Sequence, residues 1–81
     1  MSVVWSDPAL RDLRRVDPET RMWIIDVVDR FAATGHGDVR PLTGGPGWRL
    51  RVADWRVLFD LDNAAGVILA TDVRPRGRAS R

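Results

Sequence analysis

The sequence predicts an α+β fold, with an N-terminal strand and a helical hairpin packed on one face of an antiparallel sheet of four or five strands. Three features lead there. Apolar residues recur at helical spacing as far as Ala33, then switch to strand alternation from Val39 onward. Two helix-start signals, Asp7-Pro8 and Asp17-Pro18, mark a pair of helices. Turn residues then cut the second half into short β-prone runs, as in an antiparallel meander.

Each element has its own signal. Val3-Val4-Trp5 is a short β-prone run. Ser6-Asp7-Pro8 ends it and starts a helix, with Asp7 expected as N-cap and Pro8 at the first helical position. Ala9, Leu10, Leu13 and Val16 follow at helical spacing. The second helix runs to about Ala33, with Met22, Ile25, Val28 and Ala32 on one stripe and Ile24, Val27 and Phe31 on the next. So wide an apolar surface suits packing on a sheet. Thr34-Gly35-His36-Gly37 stops it. Arg40-Pro41-Leu42 suits an edge strand, where Pro is tolerated. Thr43 to Gly47 reads as a hairpin linker, because it lacks the trailing Lys-Ser/Thr and the following helix of a phosphate-binding loop. Trp48–Val52, Trp55–Leu61 and Gly66–Val73 are the remaining strands, joined by turns at Ala53-Asp54 and Asp62 to Ala65.

Composition excludes several functions. The chain has 81 residues, expected to form one domain. With no Cys and one His, it has no disulfide, no thiol nucleophile and no zinc site built from several His or Cys. No cofactor or metal is expected. No apolar run approaches the ~20 residues of a membrane span, and the first residues do not resemble a signal peptide, so a cytoplasmic protein is expected. His36 stands alone between two glycines and reads as an exposed loop residue.

Charge is more informative. All 13 basic residues are Arg. Residues 1–39 hold five Arg against seven acids, whereas residues 40–81 hold eight Arg against four Asp. A GC-rich genome would account for the missing Lys but not for the clustering, which points to a polyanion, above all nucleic acid. Arg49 and Arg51 share one face of a strand, and Arg56 follows the two-residue turn on the partner strand. Such side chains can converge on an open sheet face. Convergent guanidiniums bind phosphate bidentately and stay charged at any working pH. The plainer reading is a solvated face whose Arg heads pair with Asp54, Asp60 or Asp72. Trp48 and Trp55 flank this hairpin and suit either base stacking or, more simply, the core. The tail 74–81 carries four Arg and no acid.

Three stretches resemble the RelE/ParE family, toxins of bacterial type II toxin–antitoxin pairs: Val4-Trp5-Ser6-Asp7-Pro8-Ala9-Leu10-Arg11-Asp12-Leu13, then Pro41 through Phe59, then Val73-Arg74-Pro75-Arg76-Gly77-Arg78-Ala79. The likeness spans nearly the whole chain in order. Its most specific part is the hairpin Arg49-Leu50-Arg51-Val52-Ala53-Asp54-Trp55-Arg56-Val57-Leu58-Phe59. The resemblance implies a metal-independent endoribonuclease that inhibits translation by cutting mRNA in the ribosomal A site, through attack of a 2′-hydroxyl on the adjacent phosphate. It implies catalytic roles for Arg49, Arg51, Arg56 and Arg76, with Ser80 as an auxiliary hydroxyl, and contacts to RNA from Arg74, Arg78 and Arg81. Ser80 stands where many members carry Tyr, and Pro75 where many carry His. The resemblance also implies a cognate antitoxin that covers the toxin and binds operator DNA. Its ParE branch implies the alternative of a DNA gyrase inhibitor, and a non-toxic binding module is a third reading.

Overall fold

The computed structural model describes residues 1–75. Strand β1 (Ser2–Trp5) leads into helices α1 (Asp7–Arg14) and α2 (Pro18–Thr34). Strands β2 (Asp38–Pro41), β3 (Trp48–Val52), β4 (Trp55–Asp62) and β5 (Val67–Pro75) follow. The five strands form one sheet in the order β1-β5-β4-β3-β2. The meander β2 to β5 is antiparallel, as the turns imply. The N-terminal strand, however, pairs parallel to β5, so the sheet is mixed. Three hairpin reversals separate β2 from β5, and β2 runs opposite to β1. The last strand therefore arrives beside β1 in the same direction.

The helices cover one face. Alternate residues of the strands meet them in a core of Leu50, Val52, Val57, Phe59, Ile68, Ala70 and Val73 against Ala9, Leu13, Val16, Ile24 and Val28. Phe31 and Phe59 pack tilted, with ring centroids 5.5 Å apart. Trp5, Trp48 and Trp55 pack against this core. Ile24 and Val28 are the fully buried residues of α2, whereas Met22, placed on an apolar stripe by its spacing, is 56% exposed. Among the described residues no helix is long and apolar enough to cross a membrane.

Helix ends are closed by side chains. The N-cap of α1 is Ser6 rather than Asp7: its Oγ accepts from Ala9 N–H at 3.2 Å and donates to the Thr71 carbonyl at 3.1 Å. Asp7 instead sits in the first turn, where a negative charge suits the helix dipole. The Ser6 contact to Thr71 has a second consequence. β1 ends opposite Ala70, so β5 would run on with a bare edge. Ser6 covers the Thr71 carbonyl, and Asp12 accepts the Val73 N–H at 2.9 Å, so α1 replaces the missing strand. Asp17 caps α2 as expected, accepting from Thr20 N–H. Arg21 donates from Nε to the Leu13 carbonyl and from Nη2 to the Val16 carbonyl, both at 2.9 Å, closing the C-terminal end of α1.

Gly35 ends α2 in the left-handed region, with its N–H on the Phe31 carbonyl. Two residues on, a Cβ at Gly37 would lie 2.9 Å from Leu50 Cδ1. The chain passes from helix to edge strand so close to the buried Leu50 side chain that a side chain there would force Leu50 to shift.

Candidate nucleic-acid interface

The face of the sheet away from the helices carries the arginines, and register alone places them. The two-residue turn Ala53-Asp54 sets Val52 opposite Trp55 and therefore Arg51 opposite Arg56. Ala53 takes φ 51, a left-handed conformation that L residues other than Asn, Asp and Gly seldom adopt. On the next strand Arg56 faces Arg74. Directly opposed residues point to the same face, so Arg51, Arg56 and Arg74 form a row across β3, β4 and β5.

Arg74 reaches this row through a bulge. The sequence places it in the tail, but β5 runs on to Pro75. Leu58 pairs with Asp72 and Phe59 with Ala70, leaving Thr71 as an extra residue whose hydroxyl donates to the Leu58 carbonyl at 3.2 Å. Strict alternation from the exposed Leu69 would turn Val73 outward and Arg74 into the core. The extra residue reverses that phase, and Val73 is buried while Arg74 is exposed.

One pleat further along, Arg40 on β2 faces Arg49 on β3. This row continues to Leu58 and Asp72, while the first row begins on β2 with Asp38, the partner of Arg51. The two rows lie roughly 7 Å apart, two residues along a strand. Five guanidiniums thus occupy a diagonal from Arg40 to Arg74, and Asp38 and Asp72 fill the opposite corners. These acids pair loosely with their neighbours: Arg40–Asp38 at 3.9 Å and Arg74–Asp72 at 3.6 Å. Among the described residues Arg49, Arg51 and Arg56 have no ion-pair partner, and Asp54 and Asp60 do not approach them as the plainer reading requires.

This arrangement opposes stability. Like charges directly across a sheet are destabilising. Arg56 is half-buried, and its Nε is withdrawn from solvent without a hydrogen-bond acceptor. An orphaned buried donor costs about 1–3 kcal/mol. A row that breaks local rules without structural return is a candidate for a binding site. Beside it, Arg40, Pro41, Leu42, Thr43, Arg49 and Arg56 line an open cleft of about 510 Å³.

Sequence reasoning and structure meet at Arg49, Arg51 and Arg56, which share this face. Arg76, Arg78, Ser80 and Arg81 lie outside the described residues. Arg40 escaped sequence reasoning. The alternation Asp38-Val39-Arg40 held the signal, but only the β2–β3 register puts Arg40 beside Arg49. Trp48 and Trp55 belong to the core side. His36 is an exposed loop residue and does not line the cleft.

No family model and no curated protein matches the chain. Solved structures do. A chain of the archaeal RelE–RelB complex from Pyrococcus horikoshii is 21% identical with a TM-score of 0.80, over 95% of this chain and 96% of that one. A chain of the toxin–antitoxin complex RelBE2 from Mycobacterium tuberculosis is 18% identical with a TM-score of 0.83, over 93% and 90%. The YoeB/ParE toxin from Agrobacterium tumefaciens is 21% identical with a TM-score of 0.74, over 94% and 99%. The chain therefore has the RelE-like α+β fold.

Proposed function

We propose that this chain is a RelE/ParE-family toxin of a type II toxin–antitoxin pair, acting in the cytoplasm as a ribosome-dependent endoribonuclease on mRNA in the A site. The observation that carries this reading is the cationic row Arg51–Arg56–Arg74 beside Arg49, in which Arg74 alone has an acidic neighbour among the described residues, on a RelE-like fold. Fold likeness alone does not dictate activity; the row is the chemistry.

In the reaction, the ribose 2′-oxygen forms a bond to the adjacent phosphorus and the bond from phosphorus to the 5′-oxygen breaks. The 2′-hydroxyl loses a proton and the leaving oxygen gains one. Charge builds on the non-bridging oxygens in between. Arg51 and Arg56, with Arg49 beside them, hold the phosphate and balance that charge, and Arg76 joins them by the family resemblance. One preorganised donor of this kind is worth about 10²–10³ in rate. With a pKa above ~12, a guanidinium does not exchange protons at neutral pH. Proton transfer therefore falls to groups outside the row, and Ser80 serves as an auxiliary hydroxyl that can hydrogen-bond the reacting groups. Arg74, Arg78 and Arg81 add contacts to mRNA or ribosomal RNA.

A cognate antitoxin is the second partner. The solved complexes from Pyrococcus and Mycobacterium hold such toxin–antitoxin assemblies. An acidic segment of the antitoxin would neutralise the Arg face, and the complex would reach operator DNA through the antitoxin.

Pulse labelling after induction without antitoxin tests the reading. Methionine incorporation should collapse within minutes while thymidine incorporation continues. Thymidine uptake falling first would favour a gyrase inhibitor. No change in either would leave a binding module without toxicity.

A further inference from the structure

From the cleft beside Arg40 we infer a second subsite, which holds the phosphate and nucleoside adjoining the one gripped by the Arg51–Arg56–Arg74 row. The inference rests on the nucleic-acid reading above but concerns a residue outside the site it assigns.

Three observations converge on it. Arg40 stands opposite Arg49, and the two rows are offset by two residues along the strands, roughly 7 Å. That offset allows two successive phosphates of an extended single strand to be gripped at once. Next, Asp38 and Asp72 close the other diagonal of the same patch. Their charge repels a phosphate backbone from that direction and leaves the path from Arg40 to Arg74 as the cationic one. Finally, the cleft of about 510 Å³ lies on this path, walled by Pro41 and Leu42 and carrying the Thr43 hydroxyl. An apolar wall beside a cation suits a nucleoside attached to its phosphate better than a bare anion.

Arg40 is free to serve. Its contact with Asp38, at 3.9 Å between exposed groups, is worth little. A phosphate exchanges that long pair for a charge-assisted one. Arg40 is therefore a positioning residue: it sets the register of the strand and leaves the reacting atoms to the neighbouring row.

The test uses the purified protein and a short single-stranded 2′-O-methyl oligoribonucleotide, which has no free 2′-hydroxyl to react. Affinity is measured over a range of salt concentrations for the wild type, Arg40→Ala, Asp38→Asn and Arg30→Ala, the last on the exposed side of α2. Loss of one phosphate contact lowers the log–log salt slope by about 0.7. Arg40→Ala should show that drop with a several-fold weaker Kd. Asp38→Asn should bind more tightly, and Arg30→Ala should match the wild type. A slope unchanged in Arg40→Ala overturns the subsite. So does a drop seen with an oligoglutamate peptide and not with the oligonucleotide, which would assign Arg40 to a protein partner. Cleavage on ribosomes is read separately. An Arg40→Ala slope change in a protein that never cuts mRNA would keep the subsite and sink the nuclease reading, and unchanged binding with normal cleavage would do the reverse.

Discussion

The two faces of this sheet are written into the same strands and obey opposite rules. On β3, Leu50 and Val52 point to the helices and are buried, while Arg49 and Arg51 point away. Every described side chain in the core is apolar, and among the described residues no polar or charged one is fully buried. The open face instead lines up three arginines where a sheet prefers complementary neighbours. One set of residues is chosen for the free energy of the fold, and the other is tolerated in spite of it. Substitutions on the two faces should therefore separate stability from activity.

The largest effect belongs to the core. Phe59 is 2% exposed and packs on Phe31, so Phe59→Ala should cost about 3–5 kcal/mol, read from urea denaturation. Against a typical total of about 5–15 kcal/mol, that leaves the domain near its threshold and removes function through unfolding. Arg56→Ala should do the opposite. It relieves like-charge crowding and an orphaned donor, so the urea midpoint should hold or rise slightly, while cleavage falls about 10²–10³-fold. Full growth arrest from Arg56→Ala would place Arg56 outside the site.

A smaller change probes the seam between the faces. Ser6 caps α1 and holds the Thr71 carbonyl beside the bulge that turns Arg74 outward. Ser6→Ala should cost about 1–2 kcal/mol in stability and leave cleavage largely intact. A loss of cleavage beyond the loss of folded protein would show that α1 also tunes the Arg row.

The smallest effect is far from the row. The Thr20 backbone N–H donates to the Asp17 carboxylate and holds its pKa below the ordinary carboxylate value. A folded pKa below the unfolded one stabilises the protein above the ordinary value, and the contribution fades as pH falls through the lowered one. The stability difference between wild type and Asp17→Ala should be flat near neutrality and shrink only in that acid range. A difference that grows on acidification would contradict the cap. Cleavage at neutral pH should not notice the substitution.

Much of the sheet was legible because its signals are local. Alternation in Trp48–Val52, the two-residue turn and the Gly-rich linker determine the β3–β4 hairpin and hence Arg51 opposite Arg56. The parallel pairing of β1 was not legible, since it depends on contacts between the two ends of the chain. Nor was the place of Arg74. Residues 66–73 look like one uninterrupted, mostly apolar strand, and nothing local announces that Thr71 will be skipped by the register. Arg40 was hidden for a similar reason: a four-residue edge strand carries too little pattern to fix its partner. Ser6 and Asp7 are both good caps by residue type, and the tertiary bond to Thr71 is what favours Ser6.

The most direct measurement is primer extension on a message held by purified, programmed ribosomes, comparing the wild type with an Arg51→Ala/Arg56→Ala double variant of matched thermal stability. The wild type should cut at the A-site codon and the double variant should leave the message intact. Cutting by the double variant, or no cutting by the wild type, would contradict an endonuclease built on the Arg face of the sheet.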